Sequence, residues 1–535
     1  MHRIIKSQMR TASSTSASNA FKRIAIGTNR LSSPQPEGTF PSVLATAIQN
    51  NINTFESKLD KEEELRRAMV DALMFLSNRS DAGIDHIGAK SLKVIGKISY
   101  QTSSSDQDHD QDEKNINIAE GNILQEKNDD NMVFHNLSPK HIINTMNKSP
   151  LVELYQNKEL PQVDLIYCAH NPEAQGMEML QQDAPLEDVR GFVKDKLIAA
   201  FVTMEQLVGE GKMGSYGVCS NGLGLSSSHP MHLSWEDMLD ASAEASREVH
   251  GFDCGRGENN MSTVQLPANL LETHGLKVAN RMKQFLASPD ASMVGGMPES
   301  VEIHSLRPLT CYPDRGTGTG HPFKLVDYML PTVEDGSVKA WSHTLKNMPA
   351  FYTSLLNETM SHFDATHLIE LKEEEGRELT VEERETLDGC KLLQSMIHDL
   401  DSNLSAGQFR SFAAYEDDLF NKVVPLIHDS FEELDSDSAE LLQRFFQAHG
   451  VAVRQSLAKT TRELLKAGGD GVGKFDLPDD MTLQDFALRF LLEQRCDGEF
   501  ADGPLIDRVI VGCSRAEHVI EAVQSADEIK TNVLI

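Results

Sequence analysis

The stretch VDLIYCAH, residues 163–170, decides the fold. It is an almost unbroken apolar run, which is typical of a parallel strand covered on both faces. The run ends at His170 and is followed at once by Asn-Pro, a dipeptide that favours a turn. The question is whether His170 fills a core or lies where a buried strand opens into an active site.

Seven other β-rich runs occur along the chain, and helical patterns separate them. The eight runs are RIAIGT (23–28), INTFE (52–56), KVIGKIS (93–99), VDLIYCAH (163–170), GSYGVCS (214–220), STVQLPAN (262–269), SVEIHSL (300–306) and RVIVGCS (508–514). Between the fourth and fifth runs, apolar residues recur three or four apart until Gly209 can close the helix. Eight strands alternating with helices predict an α/β fold of the (β/α)8 TIM-barrel type, with a doubly wound open sheet as the alternative.

Three segments interrupt this alternation. The polar, acidic stretch at 101–131 is predicted to be a disordered loop, and residues 315–322 are predicted to form a glycine-rich turn. Residues 336–477, after the seventh strand, are predicted to be a long, mostly helical insertion. The barrel is therefore expected to comprise residues 22–335 and, after the insertion, the last helix, the eighth strand and the turn that follows it in 478–535.

The clearest helix of the insertion begins in the sequence DSDSAELLQRFFQAHG. Asp437 and Glu440 fit a capping pattern, and the leucine and phenylalanine pairs that follow give the helix an apolar face. Gly450 is predicted to end it.

Composition excludes several classes of protein. The net charge is −31, and such an acidic surface repels a phosphate backbone, so a nucleic-acid partner is not expected. No apolar run is long enough to cross a membrane. The seven cysteines form no CxxC pair, and no HExxH occurs, so neither a disulfide scaffold nor a metal site is predicted.

The N-terminal segment has the composition of an organelle-import sequence. The first 36 residues are basic and serine-rich, with no acidic residue before Glu37. Residues 1–21 are therefore predicted to be either a disordered tail or a targeting segment. A targeting segment implies a mitochondrial or other organellar location, and a disordered tail implies a cytoplasmic location.

Three ionisable residues stand near the carboxyl ends of consecutive strands, where barrel enzymes place their active sites. They are Glu56, Lys97 and His170. A lysine within an apolar run needs a carboxylate partner, because burial disfavours its charge, and Glu56 on the neighbouring strand could supply it. His170 could donate a hydrogen bond to a substrate oxygen. The three residues are predicted to be catalytic and to polarise a carbonyl group while a hydride arrives. The alternative is that they satisfy one another structurally and have no catalytic role.

The order of the segments resembles that of the aldo-keto reductases, (β/α)8 barrels that bind a nicotinamide cofactor without a Rossmann domain. The similar segments are IAIGTNRL (24–31), VIGKIS (94–99), VDLIYCAHNPE (163–173), EQLVGEGKMGSYGVCSN (205–221), TVQLPANLL (263–271), RPL (307–309), FALRFLLEQ (486–494) and RVIVGCSRAEHVIEAV (508–523). They extend over about residues 22–330 and 478–535.

The resemblance implies a role for each matching residue. Lys97 and His170 fall on two members of the family's catalytic tetrad. Ser220, Asn221 and Gln265 fall on the contacts to the nicotinamide carboxamide.

The seventh and eighth strands carry the remaining implied cofactor contacts. Arg307 lies in the segment that ends the seventh strand, and Gly512, Ser514 and Arg515 fall on the turn that holds the adenosine phosphate. Ser514 and Arg515 open the last helix, where free N–H groups favour an anion. An arginine at this place favours NADP(H) over NAD(H).

The sequence also departs from the family pattern. Glu56 replaces the tetrad aspartate, and the tetrad tyrosine, which is the general acid, has no counterpart in FESKLDKEEELRRAM. GVCSN carries one residue more than the family's GVSN, and Leu306 stands where an aromatic residue often stacks on the nicotinamide.

Two functions are therefore considered. The first is an NAD(P)H-dependent oxidoreductase acting on a carbonyl or sugar-like alcohol, with His170 as the substitute proton donor and Lys97 tuning it. The second is a cofactor-binding scaffold or regulatory protein without turnover, which binds a protein partner through its helical insertion.

Overall fold

The computed structural model describes most of the barrel and of the helical region. The described residues are 23–28, 39–57, 62–77, 92–98, 100–102, 126–128, 131–157, 163–311, 323–326, 348–366, 369–370, 378–409, 411–431, 434–468 and 474–527. The predictions for the N-terminal segment 1–21 and for the turn at 315–322 concern residues outside these ranges.

Eight strands form a closed barrel in which each strand pairs with its two neighbours in parallel. The strands are β1 (Ile24–Gly27), β2 (Thr54–Glu56), β3 (Leu92–Ile98), β4 (Val163–His170), β5 (Ser215–Cys219), β6 (Met261–Pro267), β7 (Glu302–Leu306) and β8 (Arg508–Gly512). Each coincides with one of the eight apolar runs to within a few residues. The predicted (β/α)8 barrel is confirmed, and because the sheet closes on itself, the open-sheet alternative is wrong.

Helices connect the strands and fill the region after β7. They are α1 (Thr39–Gln49), α2 (Glu62–Ser77), α3 (Pro139–Lys148), α4 (Pro150–Gln156), α5 (Met177–Gln181), α6 (Leu186–Gly209), α7 (Trp235–His250), α8 (His274–Ala287), α9 (Pro289–Ser292), α10 (Met348–His362), α11 (Val381–Ser405), α12 (Phe412–Asp418), α13 (Val424–Ser430), α14 (Ser436–Ala467), α15 (Leu483–Glu493) and α16 (Ala516–Asp527). None of these helices is both long enough and apolar enough to cross a membrane.

The barrel strands bury side chains on both faces, which explains their near-continuous apolar sequences. The outward side chains pack with the helices in one large cluster. The inward side chains form a separate small cluster, which consists of Ala25, Ile95, Ile166, Cys168, Cys219, Leu306 and Ile510. Gly217 allows β5 and β6 to approach closely, because a Cβ atom there would lie 2.2 Å from the Thr263 carbonyl oxygen.

A charged cluster occupies the amino-terminal end of the barrel. The Glu302 carboxylate lies 3.0 Å from Lys93 Nζ and 3.2 Å from His304 Nε2, and Arg508 Nε is 3.9 Å away. Three cationic or hydrogen-bonding groups around one carboxylate lower the pKa of Glu302, although burial alone would raise it. Because this cluster lies at the end opposite the expected active site, we interpret it as structural.

The acidic stretch at 101–131 is only partly a loop. Tyr100–Thr102, Glu126–Asn128 and Asn131–His135 pair as a three-stranded antiparallel sheet, so the prediction of disorder is wrong at both ends of the stretch. Residues 103–125 lie outside the described part of the chain.

The chain divides into two compact units. One consists of Met1–Leu309 and Ala487–Ile535, which contain the barrel, and the other of Thr310–Phe486, which starts before and ends after the predicted insertion 336–477. The second unit has its own apolar core, formed by residues of α10 to α14. It also contains the two-stranded hairpin Thr310–Cys311 and Phe323–Lys324.

Two details of the long helix α14 differ from the sequence prediction. Its N-cap is Asp435, whose carboxylate accepts hydrogen bonds from the backbone N–H groups of Asp437 and Ser438, so the predicted cap at Asp437 and Glu440 is wrong. Gly450 does not end the helix. A Cβ atom at Gly450 would lie 3.5 Å from the ring of Tyr415, so a small side chain suits this buried helix face. The helix ends at Gly468, with φ of 70°.

We expect the barrel unit to fold without the helical region. Its main core cluster contains only residues of the barrel unit. Replacing residues 340–470 by a short Gly/Ser linker should therefore preserve cooperative thermal unfolding, since a closed loop adds only a small entropic cost. Circular dichroism would follow the transition. A broad, non-cooperative melt of this variant would show that the helices belong to the barrel's folding unit.

Candidate active site

Lys97 and Glu56 form an ion pair inside the barrel, as the sequence predicts. Lys97 Nζ lies 2.7 Å from Glu56 Oε1, and the two side chains are only 11% and 4% exposed. Burial alone acts to lower the pKa of Lys97. The Cys219 sulfur and the Glu56 carboxylate raise that pKa and outweigh burial, so the ammonium keeps its proton.

Lys97 has a second partner that the sequence analysis does not single out. Its ammonium also interacts electrostatically with the Cys219 thiol at the end of β5 and acts to lower the pKa of that thiol. Burial raises the pKa of the Cys219 thiol to about 12, and Lys97 only partly opposes this effect. The thiol is therefore neutral at physiological pH, and Glu56 is the group whose charge balances Lys97.

His170 is the last residue of β4 and is half-buried. Its cross-strand neighbour on β5 is Cys219. The next residue, Asn171, has a left-handed backbone with φ of 48°, which turns the chain out of the strand. His170 therefore lies where the fourth strand opens into the loops, and the first of the two interpretations posed for it, a fully buried core histidine, does not hold.

The side chains of Ser220 and Asn221 are bound within the protein. The Ser220 hydroxyl donates a hydrogen bond to Glu173 Oε2 at 2.7 Å, and the Asn221 amide nitrogen donates to Asn171 Oδ1 at 3.1 Å. Glu173 Oε1 also accepts from the Gly222 N–H at 2.8 Å. The loop after β4 thus holds the loop after β5. Ser220 and Asn221 are therefore held in place by the residues that follow His170. The sequence analysis did not identify Asn171 or Glu173 as functional residues.

Gln265 has unmet hydrogen-bonding capacity at this end of the barrel. It is fully buried on β6, directly across from Cys219. Among the described residues, neither its side-chain oxygen nor its nitrogen has a hydrogen-bond partner. Leaving such groups buried and unpaired costs about 1–3 kcal/mol each, so a ligand with one donor and one acceptor would suit the position. A carboxamide is such a group, and Gln265 therefore fits the nicotinamide contact implied by the family resemblance.

Arg307 follows β7 directly and has an unusual backbone with φ of 53°. Its guanidinium lies 3.0 Å from Glu272 Oε1, and its carbonyl oxygen accepts from the Asn269 side chain at 3.3 Å. These contacts tie the end of β7 to the loop after β6. A left-handed backbone conformation raises the free energy of a non-glycine residue, and residues strained in this way often occur at functional sites.

Gly512, Ser514 and Arg515 lie where β8 passes into α16, at the carboxyl end of the strands. The Ser514 N–H and hydroxyl both contact His518 Nδ1 at 3.4 Å. Burial and then the nearby Arg515 charge lower the pKa of His518. The half-buried Arg515 thus adds positive charge to the start of a helix, which fits an anionic phosphate.

The described barrel has no tyrosine in the place of the missing general acid. In the described part of the barrel unit, the side chains of Tyr155, Tyr167 and Tyr216 all pack in the outer layer between strands and helices. None of these three is inside the barrel with Lys97. Within the described residues there is also no group of three or more histidine, cysteine or acidic side chains that could hold a metal ion.

The fold and the site together define a (β/α)8-barrel protein. At the carboxyl ends of its strands it carries a buried lysine–glutamate pair, a thiol and an unpaired glutamine. No family model matches the chain, and no curated protein matches it.

Proposed function

We propose that this protein is an NAD(P)H-dependent oxidoreductase of the aldo-keto reductase type, acting on a carbonyl or a sugar-like alcohol. The observation that carries the proposal is the buried Gln265 amide, which has no protein partner among the described residues and lies across from Cys219. The barrel therefore offers a carboxamide-binding group on β6 and, on β3, a fixed positive charge paired with Glu56. The proposed active site is atypical, because its described part has no tyrosine in the usual place.

The cofactor contacts are divided between two regions of this edge. Gln265 would hold the nicotinamide carboxamide, and Ser514 and Arg515 would hold the adenosine phosphate at the start of α16. Bound NAD(P)H supplies the hydride for the carbonyl carbon. Arginine favours the additional 2′-phosphate of NADP(H), so NADP(H) is the proposed cofactor.

The remaining residues act on the substrate oxygen. His170, half-buried at the end of β4, would donate a hydrogen bond to the carbonyl oxygen and fix its position. The Lys97 ammonium, held by Glu56 at 2.7 Å, would stabilise negative charge that develops near it. Because the pair is almost fully buried, its field is screened less than on a protein surface.

The second candidate function is a cofactor-binding scaffold or regulatory protein. The bonds of Ser220 to Glu173 and of Asn221 to Asn171 favour it, because they occupy groups that the family uses for the cofactor. The missing tyrosine favours it as well. In that case the separate helical unit Thr310–Phe486 would be the proposed surface for a protein partner.

Cofactor titration tests the proposal. The purified protein is expected to bind NADPH, which can be followed by the change in its fluorescence. Arg515→Ala should weaken NADPH by about tenfold or more and NADH much less, since a guanidinium–phosphate hydrogen bond pair is lost.

Arg67→Ala provides the control, because this arginine is exposed on α2 and is not among the proposed cofactor contacts. Equal weakening of NADPH and NADH by Arg515→Ala would refute the 2′-phosphate contact. Absence of binding of either nucleotide to the wild type would refute the cofactor proposal itself.

A further inference from the structure

Reduction of a carbonyl group needs a proton for the oxygen, and the described site lacks the tyrosine that would supply it. Lys97 is a poor source, because loss of its proton would leave the buried Glu56 carboxylate without its counter-charge. Glu56 is the carboxylate that balances Lys97 at 2.7 Å. A different acidic hydrogen within the site is therefore required.

Cys219 occupies the central position among the residues proposed to bind substrate and cofactor. Its cross-strand neighbours are His170 on β4 and Gln265 on β6. Its side chain belongs to the cluster inside the barrel and is only 1% exposed. The side chain thus stands between the proposed substrate contact and the proposed carboxamide contact.

The Lys97 ammonium is paired with Glu56 at 2.7 Å and also interacts electrostatically with the Cys219 thiol. A buried ammonium beside a weak acid stabilises the conjugate base, because it supplies the counter-charge that solvent cannot reach. Cys219 therefore combines an acidic hydrogen, an electrostatic interaction with the Lys97 ammonium and a place beside Gln265 in the sheet register.

The thiol is in the correct protonation state for a donor. Burial raises its pKa to about 12, so at neutral pH it is S–H and not a thiolate nucleophile. The alkoxide formed by reduction is a much stronger base than a thiolate, so proton transfer from sulfur to oxygen is downhill.

We propose that the Cys219 thiol donates the proton in the carbonyl reduction, with Lys97 stabilising the thiolate that remains. This inference rests on the proposed function and assigns the proton to Cys219 in place of His170, which keeps the role of positioning the oxygen. As the carbonyl carbon gains the hydride, its π electron pair moves to oxygen. The S–H bond breaks, an O–H bond forms, and the thiolate pairs with the ammonium. After the alcohol leaves, water returns the proton to sulfur.

Cys168 provides a matched control. It is a second buried thiol inside the barrel, one strand away on β4, and Lys97 is its neighbour in the sheet register. Its burial likewise raises its pKa well above the ordinary value. It does not neighbour Gln265, however, because its partner on β5 is Gly217.

The test compares Cys219→Ser, Cys219→Ala and Cys168→Ser with wild type, using NADPH with 4-nitrobenzaldehyde and with glyceraldehyde. Serine keeps the size of cysteine but is a far weaker acid. Both Cys219 variants should lose about 10²–10⁴-fold in kcat, with NADPH affinity unchanged, and Cys168→Ser should keep the wild-type rate. Melting curves and NADPH titration establish that each variant is folded.

The pH profile of the wild type distinguishes the two proton donors. A thiol donor gives a kcat that is constant through neutral pH and falls only in the alkaline range, whereas a histidine donor gives a fall near pH ~6.5. A wild-type rate in Cys219→Ser, or a wild-type profile with the histidine fall, would overturn the inference. If the wild type itself turns over neither aldehyde, the proposed function fails first.

Discussion

Replacing His170 by alanine is expected to reduce turnover by about 10²-fold or more, while NADPH affinity stays nearly unchanged. His170 ends β4 at the mouth of the barrel, across from Cys219, and is half-buried. Its loss removes the hydrogen-bond donor that positions the carbonyl oxygen. The proposed cofactor phosphate contacts, by contrast, lie at the start of α16.

Steady-state kinetics of His170→Ala and His398→Ala would check this expectation. His398 is an exposed residue of α11 in the other compact unit and should tolerate the change. A wild-type kcat in His170→Ala would mean that the histidine has no role in the reaction. A large loss of NADPH affinity would mean that it belongs to the cofactor site.

A second large effect is expected from a carboxyl group outside the barrel interior. Glu62 Oε2 lies 2.6 Å from the Ser149 hydroxyl, Glu62 Oε1 lies 2.9 Å from the Tyr167 hydroxyl, and the two hydroxyls are 2.5 Å apart. The three oxygen–oxygen contacts form a closed ring of hydrogen bonds, and each hydrogen bond needs one proton. The two hydroxyls supply only two, so the ring is complete only when Glu62 is protonated.

The electrostatic environment also favours the protonated form of Glu62. Burial raises the pKa of Glu62 from 4.5 to about 7, although the hydrogen bonds from Ser149 and Tyr167 partly oppose it. Gly96 on β3 makes room for the ring, since a Cβ atom there would lie 2.4 Å from the Tyr167 side chain.

The folded state therefore binds this proton more tightly than the unfolded state. The resulting stability is complete below the unfolded pKa and is lost as the pH rises through the folded pKa. The free energy of unfolding should fall by about 3 kcal/mol between about pH 4.5 and about pH 8 on account of Glu62 alone. Glu62→Gln, which cannot ionise, should be more stable than wild type at pH 8.

Urea unfolding of wild type, Glu62→Gln and Glu64→Gln across this pH range would measure the effect. Glu64 is exposed on the same helix α2 and serves as the control. Parallel stability curves for wild type and Glu62→Gln would show that Glu62 holds no proton in the folded state.

The sequence was most informative about the strands. Runs buried on both faces leave a strong apolar signal, and all eight barrel strands lie within the predicted segments or one residue outside them. The Glu56–Lys97 pair could also be predicted, because consecutive parallel strands are neighbours and a buried ammonium requires a carboxylate.

Details that depend on tertiary packing could not be predicted in this way. Gly450 is a plausible helix end by local rules, but α14 continues through it to Ala467, with Gly450 buried in the helical unit. The cap at Asp435 instead of Asp437 is a local ambiguity, since several acidic and serine residues precede the helix.

The register at the end of β5 is the most consequential example. The motif GVCSN offers either Cys219 or Ser220 as the inward residue. Strand alternation settles the choice once the strand bounds are known, because Gly217 and Cys219 face one side and Ser220 lies beyond the strand. The Ser220 hydroxyl then donates a hydrogen bond to Glu173, which is 47 residues away in sequence. Local sequence patterns cannot predict such a contact.

The central claim is that this barrel reduces carbonyl groups with a nicotinamide cofactor, and one measurement tests it most directly. Wild-type protein is mixed with NADPH and a panel of aldehydes, ketones and aldoses, and NADPH consumption is compared with alcohol formation. We predict one alcohol formed per NADPH consumed for at least one member of the panel, and loss of that turnover in Lys97→Met. Tight NADPH binding without consumption by any member would contradict the claim and favour the scaffold.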